Sequence, residues 1–229
     1  MTDSTTSQTT IPQLSKGQWV RLFAASLGML LLNQLIEQAL NLQMTESMRG
    51  ETSAFVVTAM ALFFNGVSII WLQSVVLMVM VQAHHPETSS VPLGVKIGDF
   101  TREWLRSMGE VSLWMFAFVV PGLIRLIDYS LLPFICFFDS AYQKGEIDAL
   151  ETCRSLARGR RLKLWALWIS LGLVLPILMS AFLGDYESLF EHPLSGTLIV
   201  AIEAAFQVLS FCIIWRIYSD AISYARPQP

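Results

Sequence analysis

Four ionisable side chains lie inside apolar stretches, and these are Glu37, Arg125, Asp128 and Glu203. An unpaired charge in the hydrocarbon of a bilayer costs at least about 2.5 kcal/mol, so such a residue usually faces a partner or a water-filled path. Arg125 and Asp128 lie about one helical turn apart. We expect Arg125 to pair with Asp128 and, across a helix bundle, with Glu37 or Glu203. This intramembrane polar cluster is expected to act as a structural clamp, and a proton or solute pathway is the alternative.

Motifs for other kinds of chemistry are missing from the sequence. His84 and His85 are adjacent, but no third ligand stands at metal-binding spacing, and His192 is expected on the other side of the membrane. The sequence contains no His-Glu-x-x-His, no Gly-x-Ser-x-Gly and no P-loop, and its three cysteines form no Cys-x-x-Cys. We therefore expect no enzymatic activity, no metal and no cofactor.

The composition is that of a membrane protein. Of the 229 residues, 54% are hydrophobic and 14% are charged, and the mean hydropathy is +0.53, whereas a soluble domain carries about 25% charged residues. The sequence therefore predicts an all-α, polytopic helical membrane protein. The net charge of -3 provides no basic field for nucleic acid. The expected partners are the lipid bilayer and either a second copy of the chain or another membrane protein.

Apolar stretches of about 20 residues are long enough to cross a bilayer as helices. Such stretches cover residues 20–42, 55–82, 162–183 and 194–217, and a further apolar run covers 111–138. Five to six membrane segments are expected, depending on whether that run turns back. The expected domain organisation is a disordered tail at 1–15, a single helical membrane domain at 16–220 and a short tail at 221–229.

Two short amphipathic helices are predicted between the membrane segments. The first begins at a capping Asp99, with Phe100, Trp104, Leu105 and Met108 on one face and Arg102, Glu103 and Arg106 on the other. The second covers residues 146–159, with Asp148 and Glu151 near its start and Gly159 at its end. Both patterns are typical of helices at a membrane interface.

The apolar run 111–138 contains Pro121 and Gly122 near its centre, and the basic residues on either side indicate how it is threaded. A single crossing places at best nine Lys and Arg residues inside and five outside, whereas a hairpin places thirteen inside and only Arg49 outside. The positive-inside rule therefore favours a hairpin with Pro121 and Gly122 as its turn. Each arm would be roughly 24 Å long, so a re-entrant loop remains open. One long helix kinked at Pro121 is the other alternative.

A basic segment follows the run. Its residues are Arg154, Arg158, Arg160, Arg161 and Lys163. On the side of the membrane that holds most of the Lys and Arg residues, each such charge near the surface is worth about 1 kcal/mol of attraction to anionic lipid. These five side chains are expected to contact lipid headgroups.

The stretch VVPGLIRLIDYSLLPFICFFD, followed by ALETCRSLARGRRLKLWALWISLGLV, resembles a pattern in a broad group of bacterial multi-pass membrane proteins. These proteins are related to the membrane domain of some glycerophosphodiester phosphodiesterases. The spacing between the Ala-Leu pair and the serine differs here by about one residue. The matching positions are Pro121, Gly122, Leu123, Ile124, Asp139, Ala149, Leu150, Ser155 and Gly159.

This resemblance implies a helical domain in a bacterial cell inner membrane, and the charge count then places both termini in the cytoplasm. Three functions stay open. The first, which is preferred, is a non-enzymatic membrane protein that organises lipid or a partner. The second is a small transporter or channel subunit that uses the intramembrane carboxylates, and the third is a membrane module that accompanies a separately encoded enzyme.

Overall fold

Helices and the short turns between them account for all the described residues of the computed structural model, which are 16–47, 52–83, 91–183, 189 and 191–225. The tail expected at 1–15, the histidines at 84 and 85, Arg49 and the last four residues lie outside this described part. The helices are α1 (Lys16–Ser47), α2 (Thr52–Ala83), α3 (Leu93–Ala117), α4 (Val119–Asp128), α5 (Leu132–Phe138), α6 (Ser140–Gln143), α7 (Ala149–Arg158), α8 (Arg161–Leu167), α9 (Leu175–Leu183) and α10 (Pro193–Ala225).

Three helical stretches are long and apolar enough to cross a membrane: Gly17–Leu42, Val119–Phe138 and Pro193–Tyr224. Within α2, a shorter apolar helical stretch covers Ser68–Gln82. Residues 161–183 form a further helical run, in which a π-helical segment, Trp168–Val174, joins α8 to α9. The all-helical fold and its membrane character agree with the sequence, but the expected number of five to six membrane segments is not confirmed.

The long helices α1, α2 and α10 form a bundle whose contacts include polar side chains. Asn65 Nδ2 on α2 donates a hydrogen bond of 2.8 Å to Asn33 Oδ1 on α1. Gln207 Nε2 on α10 donates one of 2.6 Å to Gln73 Oε1 on α2. Amide pairs of this kind join helices in an apolar environment and fix their register.

The segment from α3 to α5 is an antiparallel helical hairpin. At its base, Lys96 Nζ donates a hydrogen bond of 2.7 Å to the backbone oxygen of Phe137. Halfway along, the Tyr129 hydroxyl donates one of 2.6 Å to Glu110. At its tip, Gly122 lies against Met115. The later a residue lies in α3, the earlier its partner lies in the return arm. The chain therefore doubles back on itself.

The turn of the hairpin is at Phe118 and not at Pro121 and Gly122, so that part of the prediction is wrong. Phe118 is extended, with φ -155° and ψ 120°, and it separates α3 from α4. Pro121 lies in the first turn of α4, where a missing backbone N–H removes no intrahelical hydrogen bond. The reversal also excludes a single helix kinked at Pro121.

Glycine is required at position 122 for another reason, which is the close approach of the two arms. A Cβ atom at this position would overlap Met115 Cγ and would lie 2.8 Å from the Met115 backbone nitrogen. No real side chain tolerates contacts of that length. Gly122 therefore allows a narrow tip and does not form the turn itself.

The first predicted amphipathic helix is only part of α3, and two details of the prediction are wrong. Asp99 is not a cap, because Pro92, with φ -58°, precedes a helix that begins at Leu93. The face that packs against the return arm contains Glu103, while Leu105 is exposed. Packing against α5 thus selects a stripe at helical spacing that includes polar residues: Lys96, Phe100, Glu103, Ser107 and Val111.

The second amphipathic helix is α7, and its start agrees with the prediction. The Asp148 carboxylate caps it by accepting a hydrogen bond of 3.0 Å from the backbone N–H of Glu151. Gly159 follows its last residue, and the side chains of Leu150 and Cys153 are buried. At the far end of the chain, α10 continues to Ala225, five residues beyond the boundary expected at 220.

The core lies where the hairpin meets one end of the bundle. The ring of Phe134 in α5 lies 5.3 to 5.5 Å from those of Phe211 and Tyr218 in the second half of α10. Leu22 near the start of α1 and Met78 near the end of α2 belong to the same core. In the described residues, every Lys and Arg belongs to the hairpin, to the segment from α6 to α8, or to the parts of α1 and α10 next to them.

Candidate functional site

A group of charged side chains joins the hairpin to α7 and α8, and we call it the hairpin charge cluster. Its members are Glu110, Arg125, Asp128, Tyr129, Arg154 and Arg161. Glu110, on α3, lies at its centre.

Glu110 is held by three side chains from three different elements. Arg154 of α7 contacts both of its carboxylate oxygens. Tyr129 donates a hydrogen bond to Glu110 Oε2 and accepts one of 3.0 Å from Arg154 Nε. Arg125 of α4 completes the set, with its Nε 3.6 Å from Glu110 Oε1. The charge on Glu110 is therefore compensated from both the return arm and α7.

The electrostatics favour the ionised form of this group. Burial opposes ionisation of Glu110, but the hydrogen bond from Tyr129 and the charge of Arg154 outweigh it, and the pKa of Glu110 falls below its ordinary value of 4.5. Burial also opposes the charge on Arg154, but the hydrogen bonds and charges of Tyr129 and Glu110 raise its pKa. The pair is thus a permanent ion pair at neutral pH.

The second ion pair of the cluster connects α4 to α8. Arg161 donates two hydrogen bonds to Asp128, from Nε to Oδ1 at 2.8 Å and from Nη2 to Oδ2 at 2.6 Å. Asp128 is fully buried, while the side chain of Arg161 is 36% exposed. This bidentate geometry is the strongest that arginine offers a carboxylate.

A third contact joins the base of the hairpin to the start of α7. Arg106 Nη1 lies 2.5 Å from Asp148 Oδ2 and 3.3 Å from Glu103 Oε2. Burial opposes ionisation of Asp148, but the hydrogen bond from Arg106 outweighs it and lowers the pKa of Asp148. Residues on either side of the apolar run 111–138 are therefore in direct contact.

The arrangement is suited to holding elements together. In the described residues, each carboxylate of the cluster faces at least one arginine. No group of three or more His, Cys, Asp or Glu side chains in the described part of the chain is placed to hold a metal ion. The cluster can fix the hairpin against α7 and α8.

Only two of the four residues predicted to form an intramembrane cluster belong to it. Arg125 faces Glu110, and Asp128 faces Arg161, so the two do not pair with each other as predicted. The physical reason is that α4 lies between α3 and the α7–α8 segment, and each side chain meets the nearer opposite charge. Glu37 is half-buried on α1, and Glu203 is on an exposed face of α10, and neither belongs to the cluster.

The five basic residues predicted to contact headgroups divide into two groups. Arg154 and Arg161 form ion pairs with Glu110 and Asp128, and their contact with headgroups stays a prediction. The Nη2 of Arg160 donates a hydrogen bond of 2.8 Å to the backbone oxygen of Asp220. Arg158 and Lys163 are exposed. The half-buried Glu110 and the buried Asp128 thus pair with two of the five basic residues.

Glu110 and Tyr129 are the members that sequence reasoning did not identify. Glu110 immediately precedes the apolar run that begins at residue 111, so a search restricted to charges inside that run missed it by one position. The available signal was its position seven residues after Glu103, which places the two glutamates on the same side of α3. Tyr129 carried no signal beyond its type.

Lys96 is a further charged residue that the hairpin buries, with 2% of its surface exposed. Burial lowers the pKa of Lys96 to about 8. Its amine lies against the end of the return arm, where the Phe137 oxygen is one of the carbonyls left without an intrahelical partner. Lys96 therefore closes the base of the hairpin.

The residues that carry the family resemblance have structural positions in this region. Gly122 lies at the tip of the hairpin. Asp139 is buried and caps α6 by accepting a hydrogen bond of 2.9 Å from Ala141 N. Ala149 and Leu150 are buried in α7. These positions shape the hairpin and its contact with α7.

No known protein family, curated protein or solved structure matches the chain.

Proposed function

We propose that this chain is a non-enzymatic integral membrane protein that organises lipid, in a bacterial cell inner membrane with both termini in the cytoplasm. The observation that carries the proposal is the distribution of charge over the fold. The described Lys and Arg residues gather around the hairpin at one end of an apolar bundle. Such an asymmetry is typical of membrane proteins whose basic end faces the cytoplasm.

The contacts at the base of the hairpin support a specific threading. Arg106 and Asp148 lie on opposite sides of the apolar run, yet they form an ion pair. Two residues in contact cannot lie on opposite sides of a bilayer that is about 30 Å thick. In our proposal, the chain therefore enters along α3 and returns along Val119–Phe138, while α1, α2, the run 161–183 and α10 cross.

The lipid contact is assigned to two of the five basic side chains that follow the apolar run, because these two are exposed and have no ion pair in the described part of the chain. Arg158 ends α7 and Lys163 lies in the first turn of α8. Leu162, between them, is 86% exposed. An exposed apolar side chain flanked by cations suits a surface where acyl chains and anionic headgroups meet.

Reconstitution of the full chain with spin-labelled lipids tests this assignment. The wild-type protein should select phosphatidylglycerol over phosphatidylcholine in its motionally restricted lipid shell. The double variant Arg158→Gln/Lys163→Gln should lose most of that selectivity. Lys144→Gln, which removes an exposed charge from the turn after α6, is the control and should retain it. Unchanged selectivity in the double variant would exclude these residues as the lipid contact.

A further inference from the structure

The tip of the hairpin is an uncharged, apolar surface that no described element covers. All nine residues from 112 to 120 are exposed, and apart from Ser112 they are all apolar. Phe116 is 92% exposed and Phe118 is 68% exposed. A protein that kept this tip in water would present a patch of a kind that usually marks a membrane or protein contact.

The hairpin is divided along its length into a charged base and an apolar tip. On α3, Arg106 and Glu110 are the last charged residues before the tip. On the return arm, Arg125 is the first charged residue after it. Arg125 lies 5.9 Å from the centre of the Trp114 ring, so an arginine and a tryptophan meet at the boundary. From base to tip, the hairpin thus presents charged groups, then tryptophan, then aliphatic and phenyl side chains. This is the order of groups from the surface of a bilayer to its interior.

The length of the tip matches one leaflet. From Glu110 to Phe118 the helix rises about 12 Å, because each residue adds about 1.5 Å. One leaflet contributes about half of a hydrocarbon core of roughly 30 Å. With Glu110 and Arg125 at headgroup level, the turn at Phe118 would lie within the hydrocarbon of the same leaflet and would not reach the other side.

We propose that the hairpin tip, residues 112–120, is a wedge that inserts into the acyl chains of a single leaflet on the Lys- and Arg-rich side. This proposal rests on the proposed function, because it requires the bundle to be in a membrane. The occupant of the apolar surface is lipid acyl chain, since the surface continues directly from a layer of charged groups.

Two features make the wedge rigid and narrow. Gly122 brings the arms so close that a Cβ atom would overlap Met115. The ion pairs of Glu110 and Asp128 fix the base to α7 and α8. A stiff apolar wedge that enters only one leaflet adds area to that leaflet and so favours curved or loosely packed lipid, which gives the lipid-organising function a physical means.

Depth-dependent quenching in liposomes tests the wedge. A Cys212→Ala background leaves two native cysteines, Cys136 and Cys153, which are both buried. Three labelling sites are compared: Phe118→Cys at the tip, Ser140→Cys at the exposed base, and Leu209→Cys on the exposed face in the middle of α10. Each carries an environment-sensitive fluorophore for quenching by lipids with nitroxides at known acyl depths, and each is separately probed with a membrane-impermeant maleimide.

The expected result is that the thiol at position 118 is not alkylated by the aqueous maleimide, whereas the thiol at position 140 is. The fluorophore at position 118 should be quenched at a depth within one leaflet, shallower than the fluorophore at position 209. Alkylation of the Phe118 site from the basic side would place the tip in water and overturn the proposal. Alkylation from the opposite side would show a full crossing and overturn it equally. Protection without lipid quenching would mean that protein covers the tip, which also contradicts the wedge.

A charge placed on the tip provides an independent check that does not depend on folding of the base. Phe116→Asp, added to the Phe118→Cys variant, should restore alkylation of the thiol at position 118 from the basic side, whereas Phe116→Leu should not. Equal protection in both would contradict acyl-chain insertion.

The Leu209 site separates the two proposals, because alkylation there would mean that the bundle is not in the bilayer at all. Quenching at Leu209 without quenching at the tip would overturn the wedge alone.

Discussion

Glu110 shows how a single carboxylate can hold several helices in place. Its oxygens contact Arg154 of α7 and the Tyr129 hydroxyl, and Arg125 lies at 3.6 Å. Hydrogen bonds that involve charged groups are each worth about 1.5 to 3 kcal/mol when they are desolvated. Removing the charge would leave two arginines facing each other without compensation.

We therefore predict that Glu110→Gln lowers the free energy of unfolding by about 2 kcal/mol. The measurement is reversible unfolding of the protein in detergent micelles. Glu146→Gln, which changes an exposed carboxylate in the turn before α7, is the matched control and should stay within about 0.5 kcal/mol of the wild type. An equal loss in the two variants would show that Glu110 has no special role.

The pH dependence of stability gives a second test of the same residue. The pKa of Glu110 is lower in the folded protein than its ordinary value of 4.5. Its contribution to stability is therefore complete above the unfolded pKa and is lost as the pH falls through the folded pKa. The difference in unfolding free energy between wild type and Glu110→Gln should stay constant from pH 7 to about pH 5 and shrink below it. A difference that grew in acid would contradict the assignment.

The sequence predicted the types of charged residues involved but not their partners. Arg125 and Asp128 are close in sequence, which made them look like a pair, yet each meets a carboxylate or arginine from an element far along the chain. Partner choice depends on which helix packs where, and local spacing does not contain that information. Glu110 was missed for a different reason, because it lies one position outside an apolar run.

At the scale of elements, the hairpin and α7 differ in how far local sequence determines them. The start of α7 follows from Asp148, because capping depends on the nearest residues, whereas Gly159 after its last residue has φ -80°, which does not require glycine. The turn of the hairpin does not follow from Pro121 and Gly122, because both residues also fit the first turn of a helix. Only the contact between Gly122 and Met115 explains the glycine.

Substitution of two glycines separates the two roles. Gly122→Ala should destabilise the protein by about 1 to 3 kcal/mol, because its Cβ would force the arms apart at Met115. Gly109→Ala on α3, where a Cβ atom meets nothing within 4 Å, should be stabilising by about 0.5 to 1 kcal/mol because alanine is the better helix former. Thermal unfolding in micelles measures both. A stabilised Gly122→Ala would contradict the close packing of the tip.

The ion pair between α4 and α8 supports an element-scale prediction as well. Arg161→Gln leaves the fully buried Asp128 without its charge partner, which should cost about 3 to 5 kcal/mol of stability. Lys163→Gln removes an exposed charge two residues away and should cost less than about 0.5 kcal/mol. If the two variants unfold alike, Arg161 does not anchor the hairpin.

The whole molecule combines an apolar bundle with a charged module at one of its ends. Composition and periodicity were sufficient to predict helices and a membrane environment, because both depend on averages over many residues. They did not determine how many segments cross, since a return arm such as Val119–Phe138 has the length and composition of a crossing helix. Two contacts at the base of the hairpin join the residues on its two flanks and contain the missing information. They are Lys96 with Phe137 and Arg106 with Asp148.

The central claim is that these two flanks lie on the same side of the membrane. Val95→Cys before the hairpin and Ser140→Cys after it both change exposed residues, and each can be treated with a membrane-impermeant maleimide in right-side-out and in inverted vesicles. We predict that both sites react only in inverted vesicles, because the proposed topology places both in the cytoplasm. Reaction of the two sites in opposite vesicle types would contradict the hairpin, the charge-based topology and the single-leaflet wedge together.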